Sequence, residues 1–134
     1  MPGQFEGFRV KARESLLAAQ SERNANRFDP ALALAYYAAY QIGIAVFVSE
    51  NMKPPRNHQS TWMAIDTWVV AEGRSDLKGV VGQMYGYRKV AQYQRKRHSN
   101  GDAQWAISKA TEVLDCLSQR LDRLSAPPAG GVRP

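Results

Sequence analysis

Residues 85–98, YGYRKVAQYQRKRH, interleave aromatic rings with cations, and five of the eighteen Lys and Arg residues fall between Arg88 and Arg97. Such a segment suits nucleic acid. Lys89, Arg95, Lys96 and Arg97 can meet phosphates, and the Tyr93 ring can stack on a base. The same cluster also fits a basic last helical turn that complements the helix dipole. Helical geometry separates the arginines. At 100° per residue from Leu77, Arg88 falls about 20° from the apolar direction set by Leu77, Met84 and Ala91, and Arg95 falls in line with it, with Tyr93 roughly opposite. An arginine on the buried side must be paired, must snorkel, or must line a cleft or subunit interface. Arg95 lies near the helix end and can snorkel. Arg88 has less freedom, so it either pairs with a carboxylate such as Glu14 or Asp66 or offers its guanidinium to a ligand.

His98 follows on the same broad side. It is either a helix-end cation or a general base near neutral pH. The other histidine, His58, sits beside Arg56 in a Pro-rich stretch, as a second base or as an exposed loop residue. No Ser-His-Asp or Cys-His arrangement is readable. The glycines of GVVGQMYG (79–86) lack a following Lys-Ser/Thr, so they are no phosphate loop. No Cys/His cluster has zinc-ligand spacing, and neither a metal nor a cofactor is expected.

The elements that must position these groups are helical. Phe5, Phe8, Ala12, Leu16 and Ala19 recur at three- and four-residue steps and predict a helix over 4–21. A second helix is expected from Asp29, as an N-cap followed by Pro30, to about Met52, ahead of KPPRNHQS. A short helix follows over 60–72, a fourth from Ser75 or Asp76 to Lys96, and a last over 102–124 with a stripe of Trp105/Ala106, Ala110, Val113/Leu114, Leu117 and Leu121. Gly79, Gly82 and Gly86 weaken the fourth helix, by about 1 kcal/mol each relative to Ala. No segment alternates with period two, so the fold class is all-α. One domain is expected over 1–124, with SAPPAGGVRP (125–134) a disordered tail.

The run ALALAYYAAYQIGIAVFV (31–48) passes eighteen residues without a charge, a length that could span a membrane. Its alanines contribute little transfer free energy, and Tyr36, Tyr37 and Tyr40 stand mid-segment rather than at an interface. It therefore reads as the central helix of a soluble bundle. Ala and Gly43 allow close neighbours, and buried tyrosine hydroxyls need partners. The opening MPGQFEGFRV has no apolar signal region, which makes a cytoplasmic location the expectation. Lone Cys116 agrees, since it cannot close an internal disulfide. A net charge of +6 and a pI of about 9.7 favour an anionic partner such as nucleic acid or nucleotide.

The order of these features resembles the HEPN family. The second helix carries Ala35-Tyr36-Tyr37-Ala38-Ala39-Tyr40 after an Asp-Pro-Ala start at Asp29, and Arg88-Lys89-Val90-Ala91-Gln92-Tyr93 is similar to the family's Arg-x-x-Ala-Asp-Tyr, with Gln92 in place of Asp. The resemblance covers about residues 5–124. It implies an up-and-down four-helix bundle with one additional short helix, a homodimer, and a nucleotide or RNA ligand, often in toxin–antitoxin or defence systems beside a nucleotidyltransferase or antitoxin partner. Many members are metal-independent RNases whose Arg and His lie four to six residues apart. In those enzymes the histidine helps deprotonate a ribose 2′-hydroxyl and the arginine stabilises the charged phosphorane. Here nine residues separate Arg88 from His98. The resemblance thus implies a binding module first, with an RNase toxin acting through Arg88 and His98, or a non-catalytic adaptor, as alternatives. The alanine-rich helix is expected to build the core, and the function is expected to rest on Arg88 and the basic helix end.

Overall fold

The computed structural model describes residues 2–93 and 97–125, with side chains described for 4–89 and 97–125. Among them the chain is all helical: α1 (Pro2–Asn24), α2 (Phe28–Ser49), α3 (His58–Ala71), a 3₁₀ turn (Ser75–Leu77), α4 (Val80–Tyr93) and α5 (Asn100–Ser125). The predicted tail falls almost wholly outside the described residues, as do Arg95 and Lys96.

α2 is the centre of the bundle. It packs against each of the other four helices, most extensively against α1 and α5. Leu32, Tyr36, Ile42 and Val46 are fully buried along it. It is the one helix among the described residues long and apolar enough to cross a membrane, yet two-thirds of its most apolar window, 67%, lies buried inside the protein. Its composition explains the arrangement: alanines on several sides let four neighbours approach a single axis. Gly43 permits the closest of these approaches, because a Cβ there would stand 2.7 Å from Cδ1 of Ile65 on α3. The expected stripes of α1 and α5 face this axis, with Phe5, Ala12, Ala19, Ala106, Ala110, Val113, Leu114, Leu117 and Leu121 buried.

Three helix ends share one device. After α1, α2 and α3 the chain turns through a left-handed residue: Asn26 at φ 61°, Asn51 at φ 58° and Gly73 at φ 82°. In each case the next amide reaches back five residues: Arg27 to the Glu22 carbonyl at 2.9 Å, Met52 to Phe47 at 2.9 Å, and Arg74 to Val69 at 2.8 Å. These are Schellman closures, which satisfy the last carbonyls of the helix. α2 therefore ends at Ser49, closed by left-handed Asn51 before the prolines expected to end it.

Several predicted starts are corrected. Asp29 does not cap α2. The cap position is Arg27, which makes no side-chain cap bond, and the Asp29 carboxylate instead accepts the His98 amide at 2.8 Å. This bond ties the α4–α5 connection to the start of α2. α3 begins two residues early because the Asn57 side chain accepts the Ser60 amide at 2.8 Å. α5 also begins early, at Asn100, because Ser99 and Asp102 exchange amide and side-chain bonds at 3.0 and 3.1 Å. That is a capping box with Asp in the usual Glu position. The expected fourth helix is two pieces. Gly79 at φ 84° separates the 3₁₀ turn from α4, and its amide donates to Asp66 Oδ1 at 2.8 Å.

Candidate anion site on an aromatic cage

α2 presents Tyr36, Tyr37 and Tyr40 toward α3 and α4, where His58, Trp62, Tyr85 and Arg88 meet them. Tyr36 is fully buried and sits in the middle. Its ring lies 5.9 Å from Tyr37, 6.0 Å from Tyr40, 5.5 Å from Tyr85 and 5.7 Å from the His58 imidazole, measured between centroids. Trp62 and Tyr85 close the cluster at 4.8 Å. The small side of Gly82 lets Trp62 lie flat on α4, as a Cβ there would come 3.3 Å from the indole.

Arg88 reaches this cage from α4. It lies one helical turn beyond buried Met84, which puts it on the side of α4 that faces the bundle. Its guanidinium carbon lies 4.8 Å from the Tyr37 ring centroid and 5.7 Å from that of Tyr36, and an Nη2–H donates to the Tyr37 hydroxyl at 3.1 Å. Neither Glu14 nor Asp66 pairs with it. Among the described residues no carboxylate lies within ion-pair distance of Arg88, whereas Arg9, Arg27, Arg74, Arg120 and Arg123 are all paired. Cation–π contact offsets part of the cost of withdrawing the charge from water, but leaves its other N–H groups able to meet an anion. Tyr37 is 38% exposed, so the site opens to solvent at that ring.

The hydroxyl of Tyr36 is doubly used. The Trp62 Nε1–H donates to it at 2.9 Å, and it hydrogen-bonds His58 Nδ1. Burial pushes its phenol well above the ordinary tyrosine range. His58 is shifted the other way: burial, and then the charge of Arg88, hold its imidazole below the usual value of 6.5. This has a consequence for stability. With the folded value depressed, the unfolded chain takes the proton first as the pH falls, so stability is full above about pH 6.5 and is lost as the pH drops through the folded value. Thermal melts between pH 7.5 and 5 are expected to show a falling Tm that His58→Gln flattens. The carboxylates held low by arginines or amides (Glu6, Glu72, Asp76 and Asp102) titrate in a separate window, below about 4.5.

The other predicted residues lie elsewhere. The His98 side chain is only 6% exposed. Its Nε2 donates to the Tyr87 carbonyl at 2.7 Å, and its Nδ1 lies 3.5 Å from Asp102. No hydrogen bond or ion pair joins it to Arg88 among the described residues. Lys89 is exposed, with its ammonium 5.6 Å from the Tyr85 ring centroid. Arg97 is exposed and lines a surface hollow with Asn26, Phe28, Asp29 and His98. Tyr93 ends α4, its side chain outside the described set. Among the described residues no group of His, Cys, Asp and Glu could hold a metal, and buried Cys116 has its thiol pushed up by burial.

A central tyrosine-bearing helix, four others packed on it and an arginine lodged on its tyrosines define an all-α helical bundle with a candidate anion site. The family model for the HEPN domain matches residues 5–121, and the chain belongs to that family. No curated protein and no solved structure matches it.

Proposed function

We propose that this protein is a nucleotide- or RNA-binding HEPN module in which Arg88 makes the primary phosphate contact. The observation that carries the reading is the state of Arg88: a guanidinium half-withdrawn from water, fixed by Tyr36 and Tyr37, and without a carboxylate among the described residues. Arginine donates in a planar fork that matches phosphate oxygens. Exposed Tyr37 offers a ring edge where a base can pack, and Lys89 adds positive charge on α4. The net charge of +6 supports an anionic ligand.

The reading includes a cytoplasmic homodimer working with a nucleotidyltransferase or antitoxin partner, in keeping with its family. An RNase reading through Arg88 and His98 requires an imidazole whose side chain is nearly buried, and which makes no bond to Arg88 among the described residues, to reach the same 2′-hydroxyl, so binding without cleavage is the better-supported function.

Titration of a fluorescein-labelled single-stranded oligoribonucleotide, and separately of AMP, tests the binding. Saturable binding that weakens steadily with added salt is expected. Absence of saturable binding to both at low salt contradicts the reading. Light scattering on the same sample checks the dimer, and gel analysis of the bound RNA checks for cleavage.

A further inference from the structure

His58 was left open by the sequence, and the binding reading so far uses it for nothing. Its surroundings set its proton. Trp62 Nε1–H can only donate, and it donates to the Tyr36 hydroxyl at 2.9 Å. That hydroxyl, already accepting, has its own proton to place, and among the described residues its remaining hydrogen-bond partner is His58 Nδ1. The arrangement that places the hydroxyl proton on an acceptor runs from Trp62 to Tyr36 to His58. Nδ1 is an acceptor, so in the neutral ring the proton sits on Nε2. Nε2 has no hydrogen-bond partner among the described residues. The imidazole is not free to rotate away, because Tyr40 and Tyr85 hold it at 4.8 and 5.4 Å.

The Tyr36 ring is common ground for two donors. Arg88 lies 5.7 Å from its centroid and His58 also 5.7 Å. The proximity is felt electrostatically, since the charge of Arg88 is one cause of the lowered basicity of His58. Partial burial and a nearby cation both disfavour the charged ring, and a neutral Nε2–H still donates.

We infer that the Trp62–Tyr36–His58 relay presets His58 as an Nε2–H donor that contacts the same phosphate-bearing ligand as Arg88. This inference rests on the binding reading above for its ligand, but not for its tautomer. His58 is thereby a ligand contact from α3, and Tyr36 and Trp62 are positioning residues that act through it. A preset neutral donor adds an oriented hydrogen bond without a second full charge. It favours a phosphodiester oxygen, or the oxygen of an attached sugar or base, over a bare dianion that would be held by charge alone.

Two measurements test this on the full chain. In the free protein at pH 7.5, ¹⁵N-resolved imidazole spectra are expected to show His58 protonated at Nε2, and Trp62→Phe is expected to reduce that preference. In titrations with the labelled oligoribonucleotide, His58→Gln is expected to weaken binding about three- to tenfold, with a smaller effect on AMP and the least on inorganic phosphate. The His58 Nε2 resonance should move on RNA addition. An Nδ1–H tautomer in the free protein overturns the inference whatever the binding shows. RNA binding that is lost with Arg88→Ala but unaltered by His58→Gln, with an unmoved Nε2 resonance, overturns it while leaving the binding reading standing. Failure of the wild-type chain to bind any of the three probes overturns both. If His58→Gln melts early, Trp62→Phe and the wild-type resonance shift decide between these outcomes.

Discussion

Tyr36→Ala is expected to destabilise the protein by about 3–5 kcal/mol, the range for deleting a large buried aromatic side chain. Tyr36 is fully buried, and its ring contacts Tyr37, Tyr40, His58 and Tyr85. Among the described residues its hydroxyl is also the one hydrogen-bond partner of Trp62 Nε1 and of His58 Nδ1. Truncation removes the ring, opens a cavity at the junction of α2, α3 and α4, and strands two polar groups. Tyr36→Phe separates these effects. It keeps the ring and removes only the hydroxyl, so about 0.5–1.5 kcal/mol is expected, the net worth of a typical hydrogen bond between part-buried groups. Chemical denaturation of both variants checks the ordering. Equal losses in the two would mean that the hydroxyl, rather than the ring, holds the junction together.

Arg88→Ala is expected to weaken RNA binding by about ten- to a hundredfold, the worth of a charge-assisted hydrogen bond of about 1.5–3 kcal/mol. Its effect on stability should be small by comparison, because among the described residues its one hydrogen bond is to the hydroxyl of exposed Tyr37. Arg88→Lys is expected to recover part of the charge and little of the geometry, since an ammonium cannot reproduce the flat guanidinium lying on Tyr37. Binding curves with melts of the same samples check the split. An arginine that served only the fold would lower Tm and leave affinity intact.

The centre of the fold could be read from the sequence because a single property decided it. An uncharged, alanine-rich run with tyrosines in its middle fits a helix with neighbours on most sides, and α2 packs against all four other helices. The direction of Arg88 was legible for a similar reason. Although Gly79 breaks the expected fourth helix, the phase that matters is local: Met84 and Arg88 are four residues apart within α4, so the break does not change the side on which Arg88 emerges. Helix ends were harder. Asn26 and Asn51 are ordinary polar residues until their φ is known, and nearby Pro54-Pro55 offered a stronger, wrong stop signal. Asp29 looked like a cap because of Pro30, but its carboxylate serves a backbone amide 69 residues away, a pairing that no local pattern encodes. The same limit hid the relay. His58 and Tyr36 are 22 residues apart and on different helices, so nothing in either neighbourhood marks them as partners. The Ala-Tyr-Tyr-Ala segment, expected to supply core alone, in fact supplies the rings on which Arg88 rests. Of the basic helix end, Arg95 and Lys96 lie outside the described residues.

The most direct test of the account is the salt dependence of RNA binding by the wild-type chain and by Arg88→Gln, with both variants shown to melt alike. The account predicts weaker binding by Arg88→Gln at every salt concentration and a log–log slope shallower by about one, the signature of one lost phosphate contact. Superimposable lines for the two proteins would contradict it.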